Sequence, residues 1–416
     1  MNKVKIVLPE TIYINKMIKN QKIHSFSEEY TVYFKNIIQP YNPMWNIQVK
    51  CDYGQNLGEM WRIANFEEDI NSFDFEIFVY DEYCEFLVSK KCKIVMVDRK
   101  LQHDETNLLA IGNSMTFAEE YLQQVQTKLV NVKTQGTRSV NKTMYYEGRG
   151  GWTCPQYFGM IGKKDEMSPF LFPKDVDGEL YYGCMEFMEE LKTENSSSYP
   201  LIGFSYEPIR EGMYFLENKK LYIWKNGKGE LIDENPEFEF DFDKYMKRYN
   251  LKNIDIVSIL VGTNDLKPQK CEPENFVSQT EELIKGYMEY LRRFVENIHY
   301  ADRDIKIIIN PPLHGGEQYT FGKREGCGCG AKVYRHIIMR AAERIIEEFD
   351  NRQDENIFVC PMMATIDPEY GWNHNYVRAN LYSDHHRRVQ TDGIHPNHAG
   401  YCQIGDALAS VVEYIR

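Results

Sequence analysis

A chain of 416 residues that is 43% hydrophobic and 13% aromatic is long enough to bury more than one core and too apolar for a disordered polymer. Its formal net charge of −13 leaves no basic run to replace the counterions of nucleic acid or to grip an anionic membrane. Both partner classes are excluded, and neutral or small substrates are weakly favoured. The N-terminal stretch has early lysines but no apolar core ahead of a small-residue cleavage site. No apolar run approaches the roughly 18 to 20 residues of a membrane span. A soluble, cytoplasmic protein is expected. Ten cysteines are too dispersed for a disulfide scaffold, and most are expected to be reduced and buried.

The first hundred residues read as strands. Val4, Ile6 and Leu8 alternate with polar neighbours, as do Phe73, Phe75, Ile77 and Val79, and residues 94–97 form a further apolar run. Turn clusters at 39–43 and 52–54 separate them, which predicts a small all-β, sandwich-like domain over residues 1–104. From residue 105 to 416 the rhythm becomes strand and helix in alternation. Strands are expected at 108–111, 129–132, 254–261, 305–309 and 357–360, and helices around 117–126, 278–297, 332–349 and 399–414. Short, nearly continuous apolar strands between amphipathic helices predict a parallel sheet covered on both faces. The interval of about 163–235 breaks this rhythm and reads as an insertion with small strands near 213–216, 219–224 and 230–232. It is either a substrate lid or platform, or a plain surface elaboration, with a mobile tip at 195–198.

Four stretches gather the chemistry. Leu108 to Ile111 stop at Gly112 and deliver Ser114 where a strand hands over to a helix N-terminus, a position that favours developing negative charge. Alone, such a serine is a helix cap more often than a nucleophile. Glu147 to Thr153 form a glycine-rich loop that either brings backbone N–H groups close to a ligand or is an ordinary turn. Gly262, Thr263, Asn264 and Asp265 follow the most apolar strand, so Asn264 is a neutral side-chain donor on the same sheet edge or an Asx turn. Last, Asp392 stands three residues before His395 on a tight loop. A carboxylate at that spacing can turn to the histidine Nδ1 and leave Nε2 as an outward-facing general base. His385, His386 and His398 lack this context and read as surface or supporting residues.

In this order the four blocks resemble the SGNH family of GDSL-type esterases and lipases, from about Leu108 to the C-terminus. The resemblance implies a three-layer α/β/α flavodoxin-like fold with five parallel strands. It implies Ser114 as nucleophile, His395 as base, Asp392 as its partner, and an oxyanion hole made by Ser114, Gly151 and Asn264, with no metal or organic cofactor. The implied function is hydrolysis of small O-acyl esters, O-acetyl groups on a carbohydrate or glycoconjugate, through an acyl-serine. An acyltransferase, lipase or thioesterase would use the same residues, and a non-catalytic glycan- or partner-binding protein is the reading from another class. Two departures stand out: Asn113 occupies the family's usual aspartate position, and the interval before Gly262 is longer than usual.

Other signals are weighed lower. Cys327 and Cys329 supply at most two metal ligands, so no metal site is expected, and His314 reads as a surface residue. The sequons at Asn141 and Asn195 are chance matches without a secretory signal. The N-terminal domain either binds carbohydrate through exposed aromatics such as Trp45 or Trp61, which are as easily core, or packs on the catalytic domain, a structural or substrate-framing role being favoured.

Overall fold

The computed structural model describes residues 4–16, 29–64, 70–100, 103–140, 143–159, 168–174, 176, 180–181, 209–217, 220–251, 253–267, 274–313, 315–325 and 330–416. The expectations for Asn141, Cys327, Cys329, His314 and the segment 195–198 lie outside these residues.

The first hundred residues carry, besides the two-stranded pair of Lys5–Ile6 with Ile38–Gln39, two larger sheets. One has four strands in the order Thr11–Asn15, Phe86–Val97, Ser72–Tyr80, Asn46–Lys50, and the other has three in the order Glu29–Tyr33, Met60–Ala64, Gln55–Asn56. Phe73, Phe75, Ile77 and Val79 are buried in alternation, as a strand with one covered face requires. The 94–97 run is the end of a strand of 12 residues, whose polar Ser89 to Lys91 portion hid its length. At the start, Val7 and Leu8 are both buried while Ile6 is only half-buried. The alternation expected of Val4, Ile6 and Leu8 therefore gives way to a two-residue bridge strand.

The second half is built on parallel strands β1 (Thr106–Gly112), β2 (Val132–Gln135), β3 (Ile256–Leu260), β4 (Lys306–Ile309) and β5 (Ile357–Val359), in spatial order β2-β1-β3-β4-β5. The order reverses beside β1, which creates a crevice at the carboxyl ends of β1 and β3. Helices α1 (Ser114–Phe117), α2 (Glu120–Lys128), α3 (Phe276–Ala301), α4 (Ala331–Phe349) and α5 (His398–Ile415) cover the sheet. Leu108 and Ala110 join one buried cluster with Tyr121, Leu122, Ile404 and Leu408, while Leu109 and Ile111 join another with Ile284, Leu291, Ile337 and Ala341. Alternate residues of one strand thus feed two helical layers, which makes the three-layer α/β/α fold.

The single helix expected at 117–126 is two, broken at Glu119 with φ +65°. The second strand starts three residues later than expected. Leu129 still donates to Val125 O of α2 at 2.9 Å, and Asn131 at φ +58° makes the turn into β2. In the insertion, strands Tyr214–Glu217, Lys220–Lys225 and Lys228–Asp233 pair antiparallel.

Candidate active site

Three chain segments leave the sheet at one place. Gly112 of β1 pairs with Leu260 of β3 on one side and with Gly148 on the other. Ser114 lies two residues past this level, Gly151 three and Asn264 four, so the register alone brings the first three blocks to a common edge.

Asn113, not Ser114, caps α1. Its Oδ1 accepts the Met115 N–H at 3.1 Å, its carbonyl accepts Phe117 N–H at 3.0 Å, and its own N–H donates to Leu260 O at 3.4 Å. The residue that departs from the family's aspartate therefore keeps the cap through its side chain, and its backbone N–H ties the cap to β3. Ser114 becomes the first helical residue, and its hydroxyl is left to another partner.

That partner is His395. Its Nε2 lies 2.7 Å from Ser114 Oγ, and its Nδ1 lies 2.8 Å from Asp392 Oδ2. Asp392 Oδ1 meanwhile accepts the N–H groups of Ile394 and His395 at 2.8 and 3.0 Å. An ionised carboxylate only accepts, so Nδ1 carries the proton and Nε2 is left to receive the serine O–H. Burial pushes the Asp392 carboxyl up, but the His395 side-chain bond and the two N–H donors outweigh it and hold it at about 2.

The loop bearing these two residues is tied at both ends. Thr391 N–H donates to Asn373 O at 2.8 Å, Thr320 Oγ1 donates to Gln390 O at 2.7 Å, and Pro396 bridges to the buried Trp372. Asn397 then caps α5 through the Gly400 N–H at 3.0 Å. His385 and His386 are exposed, and His398 is an exposed side chain 2.9 Å from Glu120.

Gly151 has φ +78°, a conformation that glycine adopts without strain. Among the described residues, neither its N–H nor that of Ser114 meets a protein acceptor. Asn264 spends one amide hydrogen on Trp152 O at 2.8 Å, which leaves one for a ligand. Sequence reasoning missed what lies beneath this loop. The buried Glu147 carboxylate takes the Arg149 guanidinium, the Tyr245 hydroxyl at 2.7 Å and the Thr137 N–H at 2.8 Å. The Tyr157 hydroxyl sits 2.6 Å from both Gly112 O and Glu147 O. Two charges inside a glycine loop were a visible signal; Tyr245, a hundred residues on, gave none.

Ser114 stands at a strand-to-helix junction of a flavodoxin-like sheet, outside the Gly-x-Ser-x-Gly nucleophile elbow of other α/β enzymes. Residues 220–408 of this chain match the model of the GDSL-like lipase/acylhydrolase family. The chain is an enzyme of the carboxylic ester hydrolase type. The match takes in Asn264, Asp392 and His395, while Ser114 and Gly151 precede it, across the insertion. No protein of curated function matches by sequence. Among solved structures, the chain is similar to a possible lipase from Chitinophaga pinensis at 12% identity, covering 74% of this chain and 98% of that one, with a TM-score of 0.34. It is similar to a carbohydrate acetylesterase from Sinorhizobium meliloti at 11% identity, covering 75% and 100%, with a TM-score of 0.33. An aryl esterase of M. smegmatis is similar at 12%, with the same coverage and TM-score.

Proposed function

We propose that this enzyme removes small acyl groups, O-acetyl above all, from carbohydrate or glycoconjugate esters, with Ser114 as nucleophile, His395 as base and Asp392 as its partner. The observation that carries the reading is the unbroken chain Ser114 Oγ, His395 Nε2, His395 Nδ1, Asp392 Oδ2, with steps of 2.7 and 2.8 Å. Ser114 Oγ attacks the ester carbonyl as its proton passes to His395 Nε2. The charged oxygen is received by the N–H groups of Ser114 and Gly151 and the free hydrogen of Asn264. The carbon–oxygen bond to the leaving alcohol breaks as His395 returns the proton to that alcohol. Water then attacks the acyl-serine, gives its proton to His395, and releases the acid as Ser114 Oγ regains a proton.

The acyl and sugar preferences have their own support. They are supported by the resemblance of the motifs and by the abundance of aromatic side chains, Tyr370 and Tyr376 among the exposed ones. We also propose that the N-terminal region, over about residues 1–104, acts by packing rather than by binding sugar through its tryptophans. In support, Trp61 is buried and donates its Nε1–H to Tyr53 O at 3.0 Å, and Trp45 packs against the core.

Hydrolysis of p-nitrophenyl acetate, butyrate and octanoate, with Ser114→Ala beside the parent, tests the reading. Turnover that is strongest on acetate and falls by about 10⁴-fold or more in the variant is expected. A preference for octanoate would move the substrate to lipids or thioesters. Turnover that survives Ser114→Ala would refute the assignment.

A further inference from the structure

The two loops that would form the oxyanion hole are held together by two adjacent residues. Asn264 donates its amide to Trp152 O at 2.8 Å, and Asp265, next in the chain, accepts the Cys154 N–H at 2.7 Å. The Cys154 N–H belongs to the first residue of the short helix Cys154–Tyr157, where it has no intrahelical acceptor. Its partner comes instead from 111 residues away. The carbonyl of residue 152 and the N–H of residue 154 are thus gripped by one turn, three residues or fewer from Gly151.

We propose that Asp265 is a positioning residue: with Asn264 it clamps segment 151–154 to the turn after β3, fixing the Gly151 N–H and the Asn264 amide at the separation an oxyanion needs. The inference rests on the hydrolase reading above and adds to it a residue that touches neither substrate nor Ser114. Oxyanion donors act by being fixed before charge develops, and a displacement of about 1 Å costs on the order of a hundred-fold.

The surroundings make the clamp sensitive to charge. Asp265 Oδ2 is enclosed and has no partner among the described residues. The titratable groups that face the carboxyl are the Cys154 thiol, from the residue whose N–H it accepts, and the Tyr287 hydroxyl, from α3. Burial lifts the carboxyl from 3.8 to about 6, against the pull of the Cys154 N–H. Below that pH the carboxyl takes a proton, and its bond to Cys154 loses the charge assistance that makes such bonds roughly twice as strong.

The test uses the full chain with Asp265→Ala and Asp265→Asn on p-nitrophenyl acetate. Asp265→Ala is expected to lower kcat by about 10- to 100-fold with KM within about two-fold of the parent. Asp265→Asn, which keeps an acceptor of the same shape, is expected to restore kcat to within about five-fold. The ratio of parent to Asp265→Asn kcat should stand at a few-fold above pH 7 and close towards one below pH 5. Ionisations that do not involve residue 265 are common to both enzymes and cancel in this ratio, so the ratio carries the test should Asp265→Ala fail to fold. A kcat unchanged in Asp265→Ala, a loss confined to KM, or a ratio that does not move with pH overturns the proposal. A parent whose turnover does not need Ser114 overturns the hydrolase reading instead, and the two failures are told apart by Ser114→Ala.

Discussion

Asp392 is subject to opposing forces: burial disfavours its charge, and His395 with two backbone donors favours it more strongly. Its value of about 2 in the fold lies below the ordinary 3.8, so its pairing contributes stability that is fully present above the ordinary value. That contribution fades as pH falls through about 2. Asp392→Asn removes the charge and leaves His395 without the acceptor that sets its tautomer. A loss of kcat of about 10³- to 10⁴-fold is expected. An acid titration followed by far-UV circular dichroism should show the parent losing stability relative to the variant between 3.8 and 2. Asn113 poses a different question at the same scale. It is fully buried and caps α1, so Asn113→Ala is expected to cost about 1 kcal/mol or more in urea unfolding and to lower kcat with it, because Ser114 is the next residue.

At the scale of elements, the strand ends crowd α1, the helix that carries Ser114, into place. A Cβ on Gly148 would lie 2.5 Å from Phe117 N and 2.8 Å from Thr116 C, both backbone atoms of α1. Backbone cannot rotate away, so Gly148→Ala must push α1, and Ser114 with it. The expected result is a cost of about 1–3 kcal/mol in stability and a fall of about a hundred-fold in kcat. Gly150→Ala, where a Cβ meets nothing within 4 Å, serves as the comparison and should keep the parent's stability. The Asp392 loop is held in the same manner. The segment before helix Gln318–Glu325, that helix itself and the hairpin His374–Arg378 with His386–Gln390 all bond to the residues flanking it.

Over the whole molecule, the N-terminal sheets and the α/β sheet share a core. Val32, Phe34, Phe75 and Ile94 belong to the same buried cluster as Met362, Leu408 and Val412. Tyr13 meets Tyr414 with ring centroids 4.2 Å apart, Asn15 N–H donates to Ser410 Oγ at 3.2 Å, and Asn36 donates to Ile366 O at 2.6 Å. A buried apolar seam of this kind couples the two parts energetically. They are expected to unfold in one transition, which Trp61 in one and Trp152 and Trp372 in the other can report by fluorescence. Phe34→Ala should cost about 3–5 kcal/mol and move the loss of activity and the loss of both signals together. Two separate transitions would show that the seam does not couple them. Among the described residues no helix is long and apolar enough to cross a membrane.

Much of the site was legible in the linear chain because its parts are local. A strand must end at Gly112 for Ser114 to stand at a helix start, and Asp392 reaches His395 across three residues, so both follow from spacing and residue type. Helix stripes and strand runs were legible for the same reason, since 3.6- and 2-residue periods are properties of neighbours in sequence. What tertiary structure alone decided is who meets across long separations. The cap fell to Asn113 because Leu260 takes its N–H, Tyr245 reached Glu147, Asp265 took the Cys154 N–H, and the N-terminal strands closed over α5. Each of these pairs two groups that leave water together, and no period or motif within either segment records the identity of the other.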